Sequence, residues 1–300
     1  MRGRPRSGVR LWAENVFVTR DGERLYCRVE GAGDPPLVFV HGGAVDHSTW
    51  DEHLEHFAPR HRVVAVDLRG HGQSDPAPSY PIETFRDDLV AVIDRLGLAP
   101  AVIIGASRGG AIANRVAVDY PDRVKALVFV DYGAAERKSE TSPWKPSPDE
   151  IRAMLASLAA DWKEGGARRL VDSWFPEPDV PEALKERLAN LCRRAPAELV
   201  VQLRSADLED DWREDYLRRI RVPTLILQST HGRHQGREQG KFIHERVPGS
   251  RLCYFEGRGH GFFMSAPQEF WQRIEEFLAE LSIPSPFGRG ACPEPAEGSG

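Results

Sequence analysis

The sequence predicts a doubly wound α/β fold: a mostly parallel, eight-stranded sheet flanked by helices, with a helical cap inserted after strand 6. Three observations predict it. Short, wholly apolar runs recur along the chain, as suits parallel strands covered on both faces. Amphipathic helical stripes alternate with them, the mark of a layered α/β domain. One long stretch, lying between two of the runs, carries helical stripes and no strand pattern.

Taken in order, residues 15–19 and 24–29 read as two strands joined by a turn at Asp21-Gly22. Leu37–Val40 is the first wholly apolar run and ends in His41-Gly42-Gly43. Similar runs follow at Val63–Val66, Ala101–Ile104, Ala126–Val130 and Thr224–Leu227, and Arg251–Phe255 gives the last strand. Phe85, Leu89, Val92, Ile93 and Leu96 form one helical stripe; Phe270, Ile274, Phe277, Leu278 and Leu281 form another. Between Gly133 and Ile220 the pattern is helical only. Ile151, Met154, Leu155, Leu158 and Trp162 share one stripe, and Leu184, Leu188 and Leu191 a second. Prolines at 143, 146 and 148, and at 176, 178 and 181, separate the pieces. The expected organisation is a flexible tail at 1–14, a core of 15–132 and 221–282, a cap at 133–220, and a disordered tail at 283–300. The last 18 residues hold four Pro, four Gly and two Ser, too polar and broken to form a core.

Composition narrows the function. Forty basic against forty-five acidic residues give a net charge of −5, which offers nothing to nucleic acid. Arg2, Arg4, Arg6 and Arg10 gather at the start with no apolar core behind them, as in a loose tail. No run approaches the roughly 18 apolar residues of a membrane span, and the start lacks the apolar stretch of a secretory signal. Four scattered cysteines (Cys27, Cys192, Cys253, Cys292) have no paired spacing. A disulfide framework or cysteine zinc site is not expected, and reduced thiols fit a cytoplasmic protein. His231-x-x-His234 lacks an acidic or cysteine neighbour to complete a metal site. His53 and His56, at i, i+3, read as a solvated helix face.

Three motifs carry chemistry. Gly105-Ala106-Ser107-Arg108-Gly109-Gly110 follows an apolar strand and precedes a helical segment, Ala111 to Tyr120. This is the strand–turn–helix setting that a G-x-S-x-G nucleophile requires. The sharp turn lifts the serine above the sheet, beside a helix amino terminus that favours negative charge. His41-Gly42-Gly43 ends the third strand, where backbone N–H groups can stabilise an oxyanion. Gly257-Arg258-Gly259-His260-Gly261 lies between the final strand and the final helix, so His260 sits on a loop able to reach the serine. The side chain of Arg108 suits either an acidic substrate group or a cap partner. Trp144, Trp162, Trp174 and Trp212 suit either an apolar pocket or cap packing.

Together with Ala65–Asp75 and Arg221–Leu227, these segments resemble the α/β-hydrolase fold family, in the family's own order over about residues 15 to 282. More narrowly, they resemble its small esterase, haloperoxidase-like and lactonase branch. The resemblance implies Ser107 as nucleophile, His260 as base, the N–H groups of Gly43 and Arg108 as oxyanion hole, and Asp67–Asp75 as a structural loop beside the site. It implies a small-molecule ester or lactone substrate and no cofactor. The acid departs from the usual pattern. Gln228-Ser229-Thr230-His231-Gly232-Arg233-His234, after the seventh strand, has no carboxylate, and no aspartate follows Asp215. Some relatives, certain haloalkane dehalogenases among them, carry the acid one strand earlier. Asp131 stands there, 24 residues after Ser107. Glu238, or no acid at all, is the alternative. Serine rather than aspartate at 107 speaks against dehalogenase and epoxide-hydrolase chemistry. Two other activities stay open on the same machinery: a cofactor-free perhydrolase, and a small-ligand-binding protein with little turnover.

Overall fold

The hairpin that starts the sheet shows how local sequence sets register. Arg20 pairs with Glu23, and the two residues between them, Asp21 and Gly22, have φ of 53° and 93°. Positive φ at both positions is the turn whose twist matches that of the flanking strands, and an Asp-Gly pair tolerates it. The computed structural model describes residues 13–133, 147–209, 213–231 and 236–282. Its strands are β1 (Ala13–Arg20), β2 (Glu23–Glu30), β3 (Leu37–Val40), β4 (Val63–Val66), β5 (Ala101–Ala106), β6 (Val124–Val130), β7 (Thr224–Ser229) and β8 (Arg251–Phe255). Its helices are α1 (Asp51–Phe57), α2 (Ile82–Arg95), α3 (Arg108–Asp119), α4 (Pro148–Ala160), α5 (Ala167–Trp174), α6 (Glu182–Cys192), α7 (Ala197–Glu209), α8 (Arg213–Arg219), α9 (Arg237–Arg246), α10 (Phe262–Ser265) and α11 (Pro267–Leu281).

All eight strands form one sheet in the order β1-β2-β4-β3-β5-β6-β7-β8. β2 runs antiparallel to both β1 and β4, and every pair from β4 to β8 is parallel. The sheet is covered on both sides, which explains the unalternating apolar strands. Val38, Val40, Ile103, Leu127 and Phe129 face Phe85, Leu89, Ile112 and Val116 of α2 and α3. Their neighbours Leu37, Phe39, Ile104, Val128 and Val130 face Trp50, Leu54, Phe57, Phe270 and Phe277, around α1 and α11. The chain order reverses at β3, which has β4 on one side and β5 on the other. Such a switch point opens a crevice beyond the strand carboxyl ends. The glycine loop after β3 and the serine turn after β5 meet there.

Helices α4 to α8 fill the interval between β6 and β7. Ser147 and Glu150 cap the start of α4 reciprocally, a Ser-x-x-Glu box. A separate apolar cluster of Trp162, Val171, Phe175, Leu188 and Leu191 holds this cap together, and Ala44 and Val45 of the core join it. Leu199, Leu203, Leu217 and Ile220 pack instead with the α2–α3 side of the core.

Three expectations require correction. His53 is buried, not solvated: its Nδ1 accepts the indole N–H of Trp271 at 2.8 Å, while His56 stacks on the same indole at 4.1 Å. Met154 lies exposed, so the α4 stripe is narrower than its spacing suggested. Cys27 and Cys192 are free, as expected, but Cys253 is disulfide-bonded. Residues 1–12 and 283–300, with Cys292, Trp144, Trp212 and His234, lie outside the described residues. No helix among the described residues is long and apolar enough to cross a membrane.

Candidate active site

Strain marks the place. Apart from Asp21 in the hairpin, the non-glycine residues with positive φ among the described residues are Ala44, Ser107 and Asp131, at 65°, 50° and 46°. They follow β3, β5 and β6, three adjacent strands. Each conformation is costly for a residue with a Cβ and persists only where its surroundings impose it.

Close glycine contacts impose it at Ser107. A Cβ on Gly105 would lie 2.4 Å from the carbonyl oxygen of Gly109, and one on Gly109 would lie 2.2 Å from that of Val40. One on Gly110 would lie 2.8 Å from Cβ of Tyr132. The turn therefore closes only on bare backbone. Ser107 occupies the N-cap position of α3, yet its side chain caps no helix amide. Its N–H donates to the Val130 carbonyl at 2.9 Å, fixing the turn one residue from Asp131.

Asp131 is buried, and both of its oxygens are engaged. Oδ1 accepts from Gln228 Nε2 at 2.7 Å and from the Ser229 N–H at 2.8 Å. Oδ2 accepts from His260 Nδ1 at 2.6 Å. A carboxylate facing Nδ1 fixes the proton there and leaves Nε2 as the acceptor nitrogen. Glu238 lies exposed near the start of α9. Gln228 and Ser229, at the end of β7, thus supply donors to a carboxylate that follows β6. The missing carboxylate is legible in the sequence and this complementary role is not, its one signal being a glutamine at the end of a buried strand. Ser107 Oγ makes no hydrogen bond among the described residues, to His260 or otherwise. Catalytic contacts of this kind are often loose without substrate.

The glycine loop after β3 flanks the serine. A Cβ on Gly42 would stand 3.4 Å from Ser107 Cβ and 3.9 Å from its Oγ, while one on Gly43 would meet nothing within 4 Å. His41 braces this loop: Nδ1 donates to the Gly42 carbonyl at 2.7 Å and Nε2 accepts the Leu68 N–H at 3.0 Å. Acceptance at Nε2 needs the neutral ring, and burial lowers its pKa accordingly. Beyond it, Asp67 accepts from the N–H and Nδ1 of His47, at 2.7 and 2.8 Å, and from the Gln73 N–H at 2.8 Å. Burial works against charge on His47, but the hydrogen bond and negative charge of Asp67 together hold its pKa above the ordinary value. Asp46, His47 and Asp67 are close enough to share a metal ion. Their ligand atoms are already tied into the loop, since Asp46 Oδ1 accepts from Ser48 as well. The arrangement is a brace.

Arg108, the residue after the serine, is buried. Its guanidinium donates to the Leu203 carbonyl of α7 and lies 5.7 Å from the centre of the Phe85 ring. Of the cap tryptophans, Trp162 is internal, its N–H donating to the Ala195 carbonyl at 2.9 Å. Trp174 sits against His260, ring centres 5.9 Å apart.

Known proteins similar to this chain share its fold. A family model of the α/β hydrolase fold matches residues 35–170. A protein of the AB hydrolase superfamily from Bacillus subtilis (strain 168) is 30% identical over 248 residues, covering 81% of this chain and 91% of its own. A non-heme chloroperoxidase from Streptomyces lividans is 30% identical over 277 residues, covering 84% and 95%. Among solved structures, an esterase from Exiguobacterium antarcticum superimposes with a TM-score of 0.80 at 25% identity, covering 90% of this chain and all of that one. The chain belongs to the α/β-hydrolase fold family. It is an enzyme of that class.

Proposed function

We propose that the protein hydrolyses a carboxylic ester or lactone of a small molecule through an acyl-enzyme on Ser107. The hydrogen bond from His260 to buried Asp131, at the same sheet end as the strained serine turn, carries this reading. Ser107 attacks the carbonyl while His260 Nε2 takes its proton, and Asp131 stabilises the imidazolium that results. The N–H groups of Gly43 and Arg108 receive the oxyanion; the first belongs to a loop with open space beside it, the second to the first turn of α3, where amides lack intrahelical partners. His260 then protonates the leaving alkoxide and activates water to release the acid.

The test is hydrolysis of p-nitrophenyl acetate and butyrate by wild type and Ser107→Ala at matched folding. Turnover lost in the variant supports the reading; turnover unchanged refutes Ser107 as nucleophile. The likeness to a chloroperoxidase favours a second activity on the same residues, in which peroxide replaces water as acyl acceptor. Peroxide-dependent oxidation in the presence of a short carboxylic acid, absent in Ser107→Ala, would reveal it.

A further inference from the structure

The glycines on either side of His260 are not explained by their own backbone angles. In the motif Gly257-Arg258-Gly259-His260-Gly261, only Gly257 has positive φ, at 69°. Gly259 and Gly261 are instead bare because the cap presses on them. A Cβ on Gly259 would lie 2.3 Å from Pro176 Cδ and 2.4 Å from the Trp174 carbonyl oxygen. A Cβ on Gly261 would lie 2.1 Å from the Phe175 ring.

The same cap segment reaches across with hydrogen bonds. Glu177 Oε2 accepts the N–H of Gly259 at 3.0 Å, and its Oε1 accepts from Ser265 Oγ at 3.2 Å. The Trp174 carbonyl accepts the N–H of Gly261 at 3.1 Å. His260 is thus anchored by the residue before it and the residue after it, both from the stretch Trp174–Glu177. Arg258 adds an exposed pair with Asp179 at 2.9 Å. Glu177 itself is buried, 6% exposed. Burying a carboxylate is costly unless its oxygens are satisfied, and here both are spent on the loop that carries the histidine.

We propose that Glu177 is a positioning residue for His260, so that docking of the cap and alignment of the base are one event. The assignment rests on His260 acting as the base. Asp131 fixes the ring through Nδ1, and Glu177 fixes the backbone from which the ring hangs. Neither hydrogen bond of Glu177 needs its charge: a glutamine can accept the Gly259 N–H through Oε1 and donate to Ser265 Oγ through Nε2.

The experiment compares wild type, Glu177→Ala and Glu177→Gln in steady-state hydrolysis of p-nitrophenyl butyrate and in amide hydrogen exchange. Misplacement of a catalytic group by about 1 Å costs about 10²-fold, so Glu177→Ala should lower kcat by that order with KM changed by less than about twofold. Exchange should quicken across the Gly259–Ser265 segment and stay unchanged in the central strands. Glu177→Gln should restore both readouts. Where Glu177→Ala does not fold, Gly259→Ala attacks the same contact from the other side and should show the same kcat loss. Wild-type kcat in a folded Glu177→Ala enzyme, a change in KM alone, or unaltered exchange around His260 would each overturn the proposal. A wild-type enzyme inert on these esters counts against the hydrolase reading, and the exchange measurement then decides the clasp by itself.

Discussion

Asp131 and His260 stand 129 residues apart in the chain and meet through a 2.6 Å hydrogen bond. The surroundings of that bond dictate what replacing the aspartate would do. Oδ1 faces two donors, Gln228 Nε2 and the Ser229 N–H, so an asparagine must place its carbonyl oxygen there. Its NH2 group then points at His260 Nδ1 and forces the proton to Nε2, the wrong tautomer for accepting one from serine. Asp131→Asn is expected to lower kcat by about 10⁴-fold with the fold intact. A loss below tenfold in a folded variant would remove Asp131 from the mechanism.

The serine turn is the least tolerant part of the backbone. A methyl group on Gly109 would lie 2.2 Å from the Val40 carbonyl oxygen and 2.9 Å from that of His41, both backbone atoms that cannot swing aside. Gly109→Ala should therefore destabilise the protein by about 1–3 kcal/mol, the usual cost of overpacking, and lower activity in the fraction that folds. Urea unfolding of the variant against wild type measures the first, and turnover per folded molecule the second. A variant of unchanged stability and activity would mean that the turn is not closed as described.

The sequence made the sheet and the serine turn legible for one physical reason: both depend on contiguous residues. Val38 and Phe39 are apolar because each meets a different covered face, and Gly105 is bare because the turn folds back on it at Gly109. Groups that depend on distant partners were not legible. Nothing near Glu177 announces that it will meet Gly259, 82 residues away. His53 and His56 have helical spacing suited to a wet face, but the decisive neighbour, Trp271, lies more than 200 residues on. The proposed acid falls between the two cases. Its place at a strand end was readable in Asp131, whereas the reason a carboxylate is absent after β7 required seeing Gln228 turned toward it.

Two buried histidines should govern the response to acid. Burial lowers the pKa of both His53 and His71 to about 3. Unfolded, each would titrate near 6.5, so as pH falls below that value the unfolded chain binds protons that the native state refuses. The sign follows: their presence leaves stability intact above about pH 6.5 and erodes it from there toward about pH 3. The limiting slope is about 1.4 kcal/mol per pH unit for each histidine. His53→Gln, whose Oε1 can still accept from the Trp271 indole, should make the acid decline shallower. Urea midpoints between pH 7 and 4 check this, and equal slopes in variant and wild type would contradict it.

Gln228 stands in the stretch where the family more often carries its acid. Gln228 is fully buried, and its amide N–H is one of two donors holding Asp131 Oδ1. Removing it with Gln228→Leu leaves the carboxylate tethered on that side by the Ser229 N–H alone. A hydrogen bond to a charged group contributes about 1.5–3 kcal/mol, so kcat should fall by about tenfold to a hundredfold if the bond matters chiefly for aligning Asp131. The same leucine placed in an Asp131→Asn background should cost little more, because the group it orients has already lost its function. Groups acting through one another show this non-additivity, and independent sites do not. The measurement is kcat of the two single variants and the double. Losses that simply multiply would show that Gln228 supports the fold without supporting the histidine, and the donors at the end of β7 would then have no part in the chemistry.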